Sequence, residues 1–585
     1  MTISVHVTHE AIHKVGGIGA VLSGLITAVP YRQAIERTIL VGPLVDRHRA
    51  KPFGTDGTVI YDNWNGVWSE AVGIPLYDVE RRLGVRIVYG RRRFACPDGA
   101  EVESEVLLVD VEGSVPYSLG HFKFLLFENF GLASNRYDSH WEYEQYVRLA
   151  EPAYEAVMAL LGERGGAPVH FIAHEFMGMP TVLKVMLAGD PGVFTVFYAH
   201  EVATARDLVE NLPGGDVAFY GALRASTGSG RYVDDVFGPQ DAYYKHALVR
   251  QAWRCDAVFA VGDLVLWELR FLGPEFEGRE IDRVYNGVPV SGLLQEAERE
   301  QARRRLAGVA EGLLGWSPDF VFTHVGRLVA SKGLWRDLLV LQALEASLSE
   351  QGRSAVLIVL ATEAGPRLAA SIEQMRRDYD WPLVHREGYP DLTPGEVAFD
   401  LEVRAFNARA IHTRALFVNQ FGFDTFSMGG AVPEGVSFTD LRRGSDAELG
   451  LSTYEPFGIA QIEPLAFGAL SVVSDACGCL GFLEEVTEGT TDPPVFVCGN
   501  YTQAGDDAPE ILAGWQSFDA TTRRRRERRC SQEVGLALGT ALPTDEVGRA
   551  SLLEAGYAAA SAMSWDRVVD TQYLPALARM ERRSK

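Results

Sequence analysis

Two carboxylates eight positions apart, Glu455 and Glu463, lie within the run Tyr454-Glu455-Pro456-Phe457-Gly458-Ile459-Ala460-Gln461-Ile462-Glu463-Pro464, the segment of this 585-residue chain with the most chemistry in the fewest residues. Pro456 and Gly458 stand just ahead of the periodic apolar positions Ile459, Ile462, Leu465 and Ala466, which predicts a loop entering a helix. The N–H groups of Gly458, Ile459 and Ala460 would open that helix, where unpaired donors and the positive end of the dipole attract phosphate. Glu463, further along, could accept hydrogen bonds from the hydroxyls of a ribose. The segment thus fits a sugar, a diphosphate and a ribose; it also fits a capped helix bearing a solvated glutamate. Pro464 removes one helical hydrogen bond.

A departing diphosphate also needs cations. Arg327, in Val325-Gly326-Arg327, and Lys332, before Gly333, follow the end of a strand-like run and could clamp one. The glycine-rich Lys14-Val15-Gly16-Gly17-Ile18-Gly19 lies between a strand at 3–7 and a helical pattern at 20–29. It reads either as a plain strand–helix turn or as backbone that approaches a diphosphate, with Lys14 adding charge. His174-Glu175 and His200-Glu201 each close a strand, and Arg206 follows the second pair. A histidine so placed is a structural hydrogen bonder or a site residue. Asn286-Gly287 reads first as a turn and second as a loop lining the site. Arg523, Arg524, Arg525, Arg526, Arg528 and Arg529, interrupted by Glu527, form either a solvated basic face or an anion-binding regulatory helix. Cys477-Gly478-Cys479 is the one close cysteine pair, a weak signal for metal or redox chemistry, and no metal site is expected.

These residues need a scaffold of strand ends. Apolar β-branched runs recur between helical patterns at 3–7, 38–41, 85–89, 106–111, 169–173, 194–198 and 257–261. After a charged stretch at 296–305 they resume at 320–325, 355–360, 415–419, 470–474 and 495–498. Strands bounded by helices predict α/β architecture with mostly parallel, doubly wound sheets, here two facing Rossmann-like domains. Ligands of open α/β sheets sit beyond the carboxyl ends of the strands, so the active site is expected in the interdomain cleft. The expected division is 1–300, 301–560 and a C-terminal helical segment 561–585 packing back on the first domain. The stretch 363–452 is less regular and reads as helices plus an insertion.

Composition narrows the partners. A net charge of −23 opposes general nucleic-acid binding and attraction to anionic membranes. Hydrophobic residues make up 47% of the chain without an apolar run long enough to span a bilayer. The N-terminus enters a strand directly, with no basic or apolar leader, and six scattered cysteines suit a reducing compartment, so a cytoplasmic protein is expected.

Taken in order, the motifs from Lys14-Val15-Gly16-Gly17-Ile18 through Leu40-Val41-Gly42-Pro43, His174-Glu175, His200 with Arg206, Asn286-Gly287, Arg327 with Lys332, Tyr454-Glu455-Pro456-Phe457-Gly458 and 478–485 resemble glycogen synthase of the animal and fungal type, among the retaining glycosyltransferases of GT-B fold. The family's usual Trp in the Glu-Pro-Trp-Gly turn is Phe457 here. The resemblance implies transfer of glucose from a nucleotide-glucose, UDP-glucose favoured over ADP-glucose, to the non-reducing end of an α-1,4-glucan, without a cofactor. It assigns Arg327 and Lys332 to the diphosphate, Glu455 to glucose hydroxyls and the cationic anomeric centre, His200 to the sugar and Glu463 to ribose. Lys14, Gly16, Gly17, Arg206, Asn286, Tyr454, Phe457, Gly458, Ile459 and Ala460 complete the donor site. The arginine-rich helix would bind glucose 6-phosphate, and a homo-oligomer is implied. The competing readings are another retaining GT-B enzyme with a different acceptor, a nucleotide-sugar epimerase and a non-catalytic glycan-binding homologue. A degenerate binder should have lost Lys14, Arg327, Lys332, Glu455 and Glu463. A glucan phosphorylase would need a pyridoxal-phosphate lysine, for which no convincing motif stands out.

Overall fold

The computed structural model describes residues 2–12, 17–47, 51–54, 56–162, 166–488, 492–503 and 512–583. Lys14 and Gly16 lie outside these residues. The chain divides into two compact units, one comprising Met1–Thr204, Thr227–Pro289 and Trp565–Lys585, the other Ala205–Ser226 and Val290–Ser564.

Among the described residues the first unit is built on nine strands: β1 (Thr2–Val7), β2 (Ile35–Pro43), β3 (Gly57–Tyr61), β4 (Arg86–Ala95), β5 (Glu101–Asp110), β6 (Val169–His174), β7 (Val193–Ala199), β8 (Ala257–Ala260) and β9 (Asp282–Arg283). Their order in the sheet is β3-β4-β5-β2-β1-β6-β7-β8-β9. Only the β3–β4 and β4–β5 pairs are antiparallel; the others are parallel. The central strands are buried on both faces, as a parallel sheet covered by helices requires.

The C-terminal segment completes this unit around Trp565. A side chain at Gly24 would fall 2.1 Å from the Trp565 indole nitrogen, and one at Gly287 would fall 2.6 Å from its Cα. Both positions are glycine because Trp565 occupies the space. The Asp566 carboxylate accepts a hydrogen bond from Val29 N–H at 2.8 Å, and Gln572 Oε1 accepts one from Tyr285 N–H at 2.9 Å.

The second unit carries a parallel sheet of β10 (Phe320–Arg327), β11 (Ala355–Thr362), β12 (Thr413–Val418), β13 (Ala447–Gly450), β14 (Leu470–Ser474) and β15 (Phe496–Gly499). The order is β12-β11-β10-β13-β14-β15. All eight residues of β11 are buried.

The crossing between units lies at 289/290 rather than 300, because the helix Glu296–Leu314 packs on the second unit. Arg299 donates to Ser445 O at 2.6 Å, and the absent side chain of Gly444 makes room for Ala302 and Leu306. Residues 205–226 also belong to the second unit: Gly221 packs against the Trp515 ring and Asp216 pairs with Arg336. Nor is 363–452 an added insertion. It supplies β12 and β13, and Ile372, Met375, Trp381, Val418, Phe423, Met428 and Val432 are part of the hydrophobic core.

Candidate functional site

In the second unit, three adjacent strands, β10, β13 and β14, deliver their carboxyl ends to one place. β10 ends at Gly326-Arg327, and the short turn Ala330–Lys332 follows. Gly333 then adopts φ +64 and caps the helix Leu334–Gln351. A side chain on Gly333 would meet Leu451 O at 2.5 Å, so glycine permits both the left-handed turn and the close approach. Ser331 O accepts hydrogen bonds from Thr453 N at 2.7 Å and Tyr454 N at 3.2 Å, which stitches this turn to the segment leaving β13.

That segment carries Tyr454 to Ala460 and is held from its other side by the turn after β14. Glu455 N–H donates to Ala476 O at 3.2 Å, Gly478 N–H to Glu455 O at 2.8 Å and Cys479 N–H to Phe457 O at 2.7 Å. A Cβ on Gly478 would lie 1.8 Å from Pro456 O, so only glycine fits there. The two backbone clamps aim the Glu455 carboxylate at Lys332, and Lys332 Nζ is ion-paired with Glu455 Oε2. Arg327 is exposed and has no ion-pair partner among the described residues. Arg206 lies over the ring of buried Tyr454, 5.5 Å from its centroid. Phe457 is buried too.

The expected helix is only a turn. Gly458 has φ +95, Ile459–Ile462 form a single α-turn and Glu463–Phe467 a 3-10 turn that Gly468 ends. Pro464, with no N–H to give, stops the α-helix from propagating, so the helix-dipole part of the expectation falls away. The donors remain: the N–H groups of Gly458, Ile459 and Ala460 meet no backbone acceptor among the described residues. Glu463 is partly exposed and stands 3.5 Å from Arg442, which in turn pairs with the buried Glu448 at 2.9 Å. No motif flagged Arg442 or Glu448, although two charges beside a short apolar run were a visible signal.

Beneath this surface sits a buried charge cluster. The Arg336 guanidinium donates to Leu451 O at 3.2 Å and Ser452 O at 3.1 Å, and pairs with Asp216 at 2.7 Å and Glu527 at 3.0 Å. Burial works against its charge, but the two carboxylates outweigh burial and raise its pKa. His324 Nδ1 lies 2.6 Å from the Asp337 carboxylate. Burial opposes the imidazolium there, and Asp337 more than offsets it, so the His324 pKa stands above its ordinary value.

The six arginines do not act as one face. They lie on the helix Ala520–Ala541, and its period separates them. Arg523 pairs with Asp216 and Glu527, each at 3.4 Å, and lies over Trp335; Arg526 is buried and donates to Tyr501 O at 2.8 Å and to Gln503 O. Arg524, Arg525 and Arg528 are exposed, and Arg529 is half-buried. The anions that compensate the inner arginines belong to the protein, which corrects the expectation of a shared anion site for all six. Cys477 and Cys479 are buried with their sulfurs 3.4 Å apart; among the described residues no group of three or more His, Cys, Asp or Glu could hold a metal.

Of the residues expected to bind donor, Gly17, Asn286 and His200 belong to the first unit. Gly17 precedes the helix Ile18–Thr27, whose Gly19 N–H donates to Glu10 Oε2 at 2.7 Å, so this helix start already carries a carboxylate. Asn286 is buried and its Oδ1 has no hydrogen-bond partner among the described residues. His200 follows β7, with its Nε2 2.8 Å from His174 Nδ1. No described helix is long and apolar enough to cross a membrane.

No protein-family model matches the chain, and no curated protein matches it. Solved structures do. A trehalose-6-phosphate protein from E. coli bound with UDP-2-fluoro glucose matches at 11% identity over 99% of this chain and 99% of that one, with a TM-score of 0.50. The N-terminal domain of a Candida albicans trehalose-6-phosphate phosphatase matches at 11% identity over 99% and 96%, with a TM-score of 0.51. At such identity the likeness is one of fold: two α/β units with largely parallel Rossmann-like sheets, the GT-B class.

Proposed function

We propose that the protein is a retaining glucosyltransferase that takes glucose from a nucleoside-diphosphate glucose. One observation carries the reading. At the carboxyl edge of the second sheet, Glu455 is ion-paired with Lys332, near in the chain to exposed Arg327 and next to the N–H groups of Gly458, Ile459 and Ala460, which meet no backbone acceptor among the described residues. This set matches what the reaction demands. As the bond from the anomeric carbon to the diphosphate breaks, negative charge grows on the leaving oxygen and positive charge on the sugar.

In this reading Lys332, Arg327 and the backbone donors stabilise the leaving group, and preorganised donors of this kind contribute about 10²–10³-fold each. Glu455 holds sugar hydroxyls and favours the cationic carbon. The acceptor oxygen bonds to the anomeric carbon on the face the diphosphate leaves, and its proton passes to the leaving phosphate oxygen, so no protein nucleophile is required. Glu463, steadied by Arg442, takes the ribose hydroxyls. Arg206, Tyr454 and Phe457 shape the donor side; Lys14, Gly16, Gly17 and Asn286 are proposed to contact phosphate or sugar, and His200 a sugar hydroxyl.

UDP-glucose is the donor of choice, supported by the E. coli structure's bound UDP-2-fluoro glucose. For the acceptor, the fold likeness to trehalose-6-phosphate proteins supports a phosphorylated hexose better than a glycogen chain end, which rests on motif order alone. Labelled UDP-glucose offered with glycogen in one arm and glucose 6-phosphate in the other separates them. Label in polymer supports the glucan polymerase, and label in a phosphorylated disaccharide supports the alternative. Label in neither, from folded protein and with ADP-glucose also inert, leaves the non-catalytic glycan binder.

A further inference from the structure

Three imidazoles of the first unit stand in series. His6 on β1, His174 at the end of β6 and His200 just past β7 come from neighbouring strands. His6 Nδ1 is 2.8 Å from His174 Nε2, and His174 Nδ1 is 2.8 Å from His200 Nε2. The ring centroids are 5.1 Å apart in both pairs, with interplanar angles of 29° and 10°, so the rings meet edge to edge along the hydrogen bonds. At the closed end His6 Nε2 is 3.1 Å from the Tyr31 hydroxyl, which is 3.0 Å from Thr38 Oγ1. At the open end His200 Nδ1 is buried and has no hydrogen-bond partner among the described residues. Glu175, held at φ +62 where β6 turns into its helix, accepts hydrogen bonds from His200 N–H and from Glu201 N–H at 2.7 Å and so fixes the backbone of the last ring.

A neutral imidazole carries one N–H, so one proton sits in each of the two gaps and the whole series points one way or the other. We propose that His6 and His174 are positioning residues that give His200 a fixed tautomer, with the proton on Nδ1, so that its one unpartnered nitrogen is a hydrogen-bond donor toward an oxygen of the ligand. The direction is set at the closed end. A phenol O–H donating to an imidazole nitrogen, with the Thr38 hydroxyl donating to the phenol oxygen, is a better pair than an imidazole N–H donating to a phenol. From Tyr31 each N–H then points outward: His6 Nδ1–H to His174 Nε2, His174 Nδ1–H to His200 Nε2, and His200 Nδ1–H to whatever lies beyond.

The rings stay neutral because burial disfavours their charged forms first, and because a charge on one ring, or on His170 beside His6, would oppose a charge on the next. The use of the donor rests on the proposed reading of His200 as a sugar contact. The tautomer itself does not.

The test is nitrogen NMR on the full chain with ¹⁵N-labelled histidine and no sugar present, the His200 signals being assigned from His200→Gln. In the wild type, Nδ1 should be of the protonated type and Nε2 of the unprotonated type in the majority of molecules, since the Tyr31 O–H donates to an imidazole nitrogen better than its oxygen accepts from an imidazole N–H. Tyr31→Phe keeps the shape and removes the donor that sets direction, so it should bring His200 to a mixture of tautomers. His174→Phe, which cuts the series, should move the proton to Nε2. Wild-type His200 protonated on Nε2, or a tautomer ratio that Tyr31→Phe leaves unchanged, would overturn the proposal. Because the spectra need no turnover, an absence of glucosyl transfer would count against the proposed function alone.

Discussion

Lys332 and Glu455 are ion partners although 123 positions separate them in the chain. The Ser331 carbonyl and the Gly478 N–H hold their two backbones in place, so the pair is fixed by the ends of β10, β13 and β14 and not by long flexible side chains alone. In the proposed reaction each partner serves a charge of opposite sign, Lys332 the diphosphate and Glu455 the anomeric centre.

The two charges therefore act as one unit. Lys332→Ala and Glu455→Ala should each lower kcat by about 10²-fold or more, with a smaller change in KM. The double variant should lose less than the product of the two, because each single change strands the other charge. Strict multiplication of the two losses would show that the residues work independently.

Arg327 offers a cleaner deletion. Its guanidinium is exposed and has no ion-pair partner among the described residues, so Arg327→Ala should leave the melting temperature within a degree or two while kcat falls by roughly 10²-fold. Near-wild-type turnover in this variant would remove Arg327 from the site.

The sequence made these strands legible because β10, β11 and β14 each carry clustered apolar and β-branched residues, nearly continuous in β11. It hid β13, four residues long, since buried Glu448 breaks the run and its partner Arg442 lies in another element. The Tyr454–Gly458 turn was readable from Pro456 and Gly458, but the length of the helix after it was not. The apolar period continues past Pro464, and only the backbone reveals that propagation stops. The arginine run failed for a different reason: composition counts charges, whereas the helical period decides which of them meet Asp216 and Glu527. The imidazole series could not be read at all, because its members are set side by side by strand order, and the hydrogen-bonded pair His6 and His174 stand 168 residues apart.

That separation of the arginines gives opposite outcomes on one helix. Changing Arg524, Arg525 and Arg528 together to Ala should leave thermal stability nearly unchanged, since all three are exposed. Arg526→Ala should destabilise by about 1–3 kcal/mol by stripping donors from the Tyr501 and Gln503 carbonyls. If glucose 6-phosphate is an effector, the triple variant loses the response. If it is an acceptor, the variant still forms the phosphorylated disaccharide.

The buried histidines should make the fold acid-sensitive. His6 and His200 are lowered from 6.5 to about 3, by burial first and by neighbouring histidines second, and His174 is lowered as well. As pH falls below 6.5 the unfolded chain takes up protons that the folded chain refuses, so stability is full above that pH and drains toward pH 3. The slope is about 1.4 kcal/mol per pH unit for each histidine. Denaturant unfolding at pH 7 and pH 5 should show the loss, and His174→Phe should reduce its slope. An unchanged slope in the variant would mean that other groups drive the acid sensitivity.

The reaction itself is the most direct measurement: purified full-length protein, UDP-glucose labelled in the sugar, glycogen and glucose 6-phosphate supplied separately, and the anomeric configuration of the product read by proton NMR. The account predicts UDP release coupled to a product in which glucose keeps its α configuration, abolished by Glu455→Ala with Lys332→Ala. A product of inverted configuration, or turnover that survives the loss of both residues, would contradict it.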